Sequence, residues 1–75
     1  MVAVGLIQFR RLWGEKVIVE RKNRDVVVGT LSGEDGMFIY LEDGQLIREN
    51  QRIEVPTAVI SKKSISMLRV KKNDS

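Results

Sequence analysis

The sequence predicts a mainly β domain: a short N-terminal helix followed by a strongly bent, five-stranded antiparallel sheet forming an open barrel. Three observations lead there. Residues 26–31 (VVVGTL) and 37–41 (MFIYL) are apolar runs rich in β-branched and aromatic residues, the composition of strands. Between them lies SGEDG, a polar break whose Asp-Gly supplies turn geometry, so the two runs read as a hairpin. Both runs are apolar at nearly every position, so both faces should be covered. In a chain of 75 residues a sheet curled on itself provides that cover.

The remaining elements extend or close this hairpin. Val2, Leu6, Phe9 and Trp13 recur at spacings that place them on one helical face, with Arg10 and Arg11 away from it and Gly14 placed to stop the helix. The predicted layout is a single domain over residues 1–75, with a helix over 1–14, a barrel over 15–70 and a flexible tail over 71–75. KVIVER (16–21) is the first strand, and Lys22-Asn23-Arg24 a tight turn in which Asn tolerates left-handed geometry. Gly29 permits a sharp bend in the second strand. Residues 37–42 form the third strand, and Asp43-Gly44 signals another turn. After a polar stretch at 48–52, alternation resumes through Ile53, Val55, Thr57 and Val59. Pro56 interrupts it and confines that strand to an edge or a bulge. ISMLRV (65–70) supplies a last short strand.

Composition excludes several classes of function. There is no cysteine and no histidine, so disulfides and the usual zinc ligand sets are ruled out, and no cofactor is expected. No phosphate-binding or dinucleotide loop motif occurs. The adjacent acids Glu34-Asp35 and Glu42-Asp43 point to opposite faces of a strand, so neither pair converges; both read as solvated turn and strand-end residues. An enzyme is not expected. No apolar run approaches membrane-spanning length, so no membrane partner and a cytoplasmic location are expected. Charge is unevenly spread: residues 32–55 carry −4 and the flanks +7 within a net +3. That polarity gives a folded particle one basic side suited to a polyanion. A small strand-rich chain without staples also gains burial by associating with copies of itself.

The run KVIVERKNRDVVVGTLSGEDGMFIYLED, a polar insertion, then VISKKSISML resembles the Sm-like (LSm) family, which includes bacterial Hfq, and the match extends from about Leu6 to Val70. The first family signature corresponds to Gly29-Thr30-Leu31 and Asp35 before the strand at 37–41. The second lies between the last two strands, where Sm members read I-R-G and Hfq reads Y-K-H followed by A-I-S. Here the stretch is Ile60-Ser61-Lys62-Lys63-Ser64-Ile65-Ser66. Lys62 thus matches the Hfq lysine and Lys63 stands at its histidine position. Where the Sm type sandwiches a base between an aromatic or His and an Arg and reads it with an Asn, this chain has Gly36, Ser61 and Phe38. In the Hfq alignment, Gly36 and Met37 occupy the positions of the pocket Gln and Phe. The segment 43–61 is far longer than in Hfq and looks like the extended hairpin of Sm proteins.

The resemblance implies an Sm-like, SH3-like barrel that assembles as a homo-oligomeric ring of six or seven copies, with seven favoured by the long insertion. It implies binding of single-stranded U- or A-rich RNA at Asp35, Gly36, Met37, Phe38, Ser61, Lys62 and Lys63, with Arg10 and Arg11 as helix-face contacts, in the service of RNA chaperoning or ribonucleoprotein assembly. Edge logic supports the ring, since a bent sheet with two unpaired edges is completed by its neighbours. Lysines hold phosphate but read little sequence. From the residues alone, Phe38 is expected in the core, Met37 on the opposite face, and Asp35 as a brace for the turn. Two alternatives stand beside RNA binding: an Sm-type ring that has lost base recognition and serves as a protein-interaction scaffold, and a monomeric SH3-like adaptor.

Overall fold

A computed structural model describes residues 8–72. Five antiparallel strands form one sheet: β1 (Lys16–Arg21), β2 (Val26–Glu34), β3 (Phe38–Arg48), β4 (Gln51–Ser61) and β5 (Ile65–Val70), in the spatial order β4-β3-β2-β1-β5. Chain order and spatial order agree except for β5, which returns past the others to pair with β1. The sheet does not close within one chain, and β4 and β5 remain as its two edges.

The N-terminal helix is corrected in part. Residues 1–7 lie outside the described residues, and the described portion holds only a 3-10 turn, Arg10–Leu12. Gly14, at φ +89°, takes the left-handed geometry that ends the turn. Phe9 and Leu12 pack against the core, whereas Trp13, which shares the predicted helical face with Phe9, is 42% exposed.

The core consists of Val17, Val19, Val27, Leu31, Ile39, Leu41 and Ile60. In β1 and β2 the buried positions alternate with half-buried ones, so one face is fully covered and the other only partly. The bend is achieved by bulges: the β2–β3 register slips between Val28 and Thr30 and again between Leu31 and Gly33. Gly29, at the first slip, is the close-approach residue the sequence suggested. A Cβ there would lie 3.1 Å from the Glu42 carbonyl oxygen and 3.1 Å from the Gly44 Cα.

Three turn assignments change. The expected break at 32–36 shrinks to the link between β2 and β3, because β2 continues through Glu34 and β3 starts at Phe38. Asp43-Gly44 is not a turn: β3 and β4 pair on a single register from Phe38↔Ser61 to Arg48↔Gln51. Gly44 serves instead for close packing, since a Cβ on it would sit 3.1 Å from the Val55 carbonyl oxygen. The reversal falls at Glu49 and Asn50, both at positive φ (49° and 67°), the geometry of a two-residue hairpin turn. In the β1–β2 turn the left-handed residue is Arg24 (φ 75°), while the Asn23 side chain accepts the Asp25 N–H at 3.0 Å. Pro56 lies on an edge strand, at the one position of that register where no pair forms.

An ion pair between buried Asp25 and the exposed Arg48 ties the β1–β2 turn to the long hairpin. The Arg48 guanidinium donates to both Asp25 oxygens, at 3.0 and 2.7 Å, and the Asp25 side chain is nearly inaccessible. Together with Asn23, Arg48 holds the Asp25 carboxyl below its ordinary range.

Replacing Gly29 with Ala is expected to destabilise the domain by about 1–3 kcal/mol through overpacking at the bulge. Gly36→Ala, which has open space around it, should change stability by less than about 0.5 kcal/mol. Paired thermal melts check the contrast.

Candidate nucleic-acid interface

The β2–β3 and β4–β5 turns meet at one end of the sheet. Phe38 opens β3 directly opposite Ser61, the last residue of β4. The Lys62 N–H then donates to the Met37 carbonyl at 2.8 Å, stitching the two turns together. The fold therefore brings Asp35, Gly36, Met37, Phe38, Ser61 and Lys62 into one place, with Lys63 next in the 3-10 turn Lys62–Ser64.

Asp35 braces the first turn, as the sequence suggested. Its Oδ1 accepts the N–H groups of Met37 (2.8 Å) and Phe38 (2.9 Å), and its Oδ2 accepts the Tyr40 hydroxyl at 2.6 Å. Its own N–H donates to the Phe38 carbonyl at 2.9 Å. The Tyr40 hydroxyl, followed by the two amides, stabilises the charged form and lowers the Asp35 pKa. The same bond raises the Tyr40 phenol above its usual range.

With its backbone pinned this way, the turn presents its apolar side chains outward. Met37 is 55% exposed and Phe38 37%. The core placement expected for Phe38 is therefore corrected. Ile39 and Leu41 take the inward positions, and strand alternation leaves Phe38 at the surface. Met37 precedes β3, so strand alternation does not set its direction.

The acid pair Glu34-Asp35 also departs from expectation. The two side chains do diverge, yet Glu34 is not a solvated strand end. Its side chain is 7% exposed, and Oε2 lies 2.6 Å from the Lys62 ammonium. Oε1 accepts the Phe9 N–H at 2.6 Å and the Trp13 indole N–H at 3.1 Å. Burial penalises the charged carboxylate, but Lys62, Phe9 and Trp13 together outweigh that and hold its pKa below 4.5. Lys62 is itself buried, with its ammonium 5.7 Å from the centre of the Phe9 ring. Lys63 is exposed. The two lysines thus have different surroundings, one inside the scaffold and the other facing solvent.

Beside this pair opens a shallow pocket of about 390 Å³, lined by Gln8, Arg10, Trp13, Glu34, Asp35, Gly36 and Lys62. Arg10 stacks over the Trp13 ring at 5.6 Å. Arg11 is exposed and lies along a neighbouring depression with Phe9 and Leu12. Glu34, Trp13 and Tyr40 are the contributors that sequence reasoning missed. A carboxylate at a strand end carries no local mark of a distant lysine 28 positions away.

No protein-family model matches the chain, and no curated protein sequence matches it. Solved structures do match. The SmAP1 heptamer of P. aerophilum aligns at 18% identity over 85% of this chain and 88% of that one, with a TM-score of 0.78. The Sm protein of Pyrococcus abyssii, solved in complex with a uridine heptamer, aligns at 20% identity over 83% and 90%, with a TM-score of 0.74. A chain of the NatC complex bound to CoA aligns at 15% identity over 96% and 91%, with a TM-score of 0.76. The fold is that of the Sm-like proteins. Among the described residues no helix is long and apolar enough to cross a membrane.

Two outcomes are expected. Lys62→Ala should cost about 3 kcal/mol, because Glu34 is left buried without its cation, whereas exposed Lys63→Ala should stay within about 0.5 kcal/mol; chemical denaturation checks both. Because the Glu34 pKa is depressed on folding, its contribution is complete above the ordinary value of 4.5 and is lost as pH falls through the lower folded value. Glu34→Gln should remove that part of the acid sensitivity in melts recorded across this range.

Proposed function

We propose that this protein is a non-enzymatic Sm-like RNA-binding protein that assembles into a homo-oligomeric ring, with seven copies favoured, and holds single-stranded U- or A-rich RNA as a chaperone or ribonucleoprotein assembly platform. The observation that carries the reading is the pair of open edges. β4 and β5 bound one five-stranded sheet, with Val59 (59%) on β4 and Met67 (51%) on β5 exposed. Pairing β4 of one copy with β5 of the next satisfies both edges and, repeated around an axis, closes a ring. The fold's neighbours include a heptamer and an Sm protein solved with a uridine heptamer.

In such a ring the turns at 35–38 and 61–64 recur once per copy. Asp35 and Gly36 shape the loop, Met37 and Phe38 offer apolar surface for base contact, and Ser61 lies alongside Phe38. Lys63 offers the exposed charge for phosphate, with Lys62 beneath it holding the frame. Arg10 and Arg11 offer further phosphate contacts on the N-terminal face. The loop has no Asn or Arg to read a base edge, so binding rests on stacking and charge and discriminates weakly among bases. The Lys62-Lys63 pair is the Hfq-like feature of this reading.

A second reading, a ring or subunit serving as a protein-interaction scaffold, is favoured by the missing Asn and Arg and by the NatC chain that aligns with 96% of this one.

Native mass spectrometry is expected to give a ring rather than an 8.6 kDa monomer. Fluorescence polarisation with oligo(U) and oligo(A) should show binding that weakens steeply with salt. Lys63→Ala should weaken it by about tenfold or more, because one lost contact repeats in every copy. A ring that binds neither oligonucleotide at low salt establishes the scaffold reading instead.

A further inference from the structure

The Tyr40 hydroxyl is one of three donors that hold the Asp35 carboxylate, beside the Met37 and Phe38 amides. Resting on the RNA-binding reading, we infer that Tyr40 is a positioning residue for the loop: its hydroxyl holds the Asp35 carboxylate so that Met37 and Phe38 present one fixed surface to the ligand.

The geometry carries the inference. Tyr40 sits on β3 opposite Gly33 of β2 and Val59 of β4, so its backbone is held on both sides. Its side chain reaches back along the strand to Asp35 Oδ2, at 2.6 Å. The other oxygen, Oδ1, accepts both Met37 and Phe38 N–H groups, which fixes the backbone of the two residues whose side chains are exposed. Without the phenol, this exposed carboxylate is held only through Oδ1, and water competes for the freed oxygen. Rotation about χ1 and χ2 then carries both amide bonds with it. Two backbone bonds also tie the loop, from the Asp35 N–H to the Phe38 carbonyl at 2.9 Å and from the Lys62 N–H to the Met37 carbonyl at 2.8 Å, but Gly36 adds no side chain to it, and a Cβ there would meet nothing within 4 Å. A mobile loop must be ordered when it binds, and that ordering subtracts from affinity. Charge-assisted O–H···O⁻ bonds of this length are among the stronger ones proteins make. The raised phenol and lowered carboxyl pKa values agree with a bond to the ionised carboxylate.

Tyr40→Phe keeps the ring and removes only the hydroxyl. It should leave the assembly intact by native mass spectrometry while weakening oligo(U) by about tenfold, the scale of one charge-assisted bond. Amide exchange should accelerate at Met37 and Phe38 but not at Ile39 and Leu41. Tyr40 is the sole tyrosine, so its ultraviolet titration is unobstructed, and Asp35→Asn should bring it down to the ordinary phenol range. If the wild type binds oligo(U) and Tyr40→Phe binds it equally well, the positioning role is overturned while the RNA reading stands. If the wild type binds no oligonucleotide, the RNA reading falls and the positioning role falls with it. An Asp35→Asn titration unchanged from wild type overturns the bond itself.

Discussion

Glu34 is a carboxylate placed where water scarcely reaches, and much of the local architecture follows from satisfying it. An unpaired buried charge is expensive, so the acid must collect donors from whatever lies near. It collects Lys62 from the turn between β4 and β5, and the Phe9 amide and Trp13 indole from the N-terminal turn. Two segments distant in sequence are thereby held against the end of β2. The next residue, Asp35, does the same on the solvent side, gathering Met37, Phe38 and Tyr40. Two consecutive acids thus divide the work: one organises the scaffold and the other organises the surface that the scaffold presents.

The second constraint is the unfinished sheet. Every interior strand has partners on both sides, while β4 and β5 each have one. Pro56 removes one donor from β4 and so blunts that edge locally, but apolar side chains such as Val59 remain uncovered along it. Ring closure by copies, as proposed, meets the backbone and the apolar demand together. It also explains why a weak single-copy site could suffice, because exposed lysines and apolar loops would be repeated around one axis.

How far the site can recognise a ligand is set by what its loop lacks. Phe38 and Ser61 face each other where an amide and a guanidinium would be needed to read a base. The remaining chemistry is apolar contact and positive charge. Both suit single-stranded nucleic acid in general, and apolar contact also suits a protein surface, which keeps the scaffold reading physically sensible.

Strand identity was legible because it is written in local pattern: the β-branched runs, the alternation around Pro56, and a glycine at the bend. The positions of Asp35 as a brace and of the Ser61–Ser64 turn beside it were also legible, through spacing and family likeness. The turn at Asp43-Gly44 was misread because glycine serves both turns and close backbone packing, and only the neighbouring strand distinguishes them. Phe38 was misread because a run apolar at nearly every position does not say which alternate set of side chains points inward. The burial of Lys62, the exposure of Trp13 and the reach of Tyr40 to Asp35 were decided by the tertiary structure alone. Each depends on a side chain meeting a group that the bends of the sheet bring near, and a bulge of one residue is enough to redirect it.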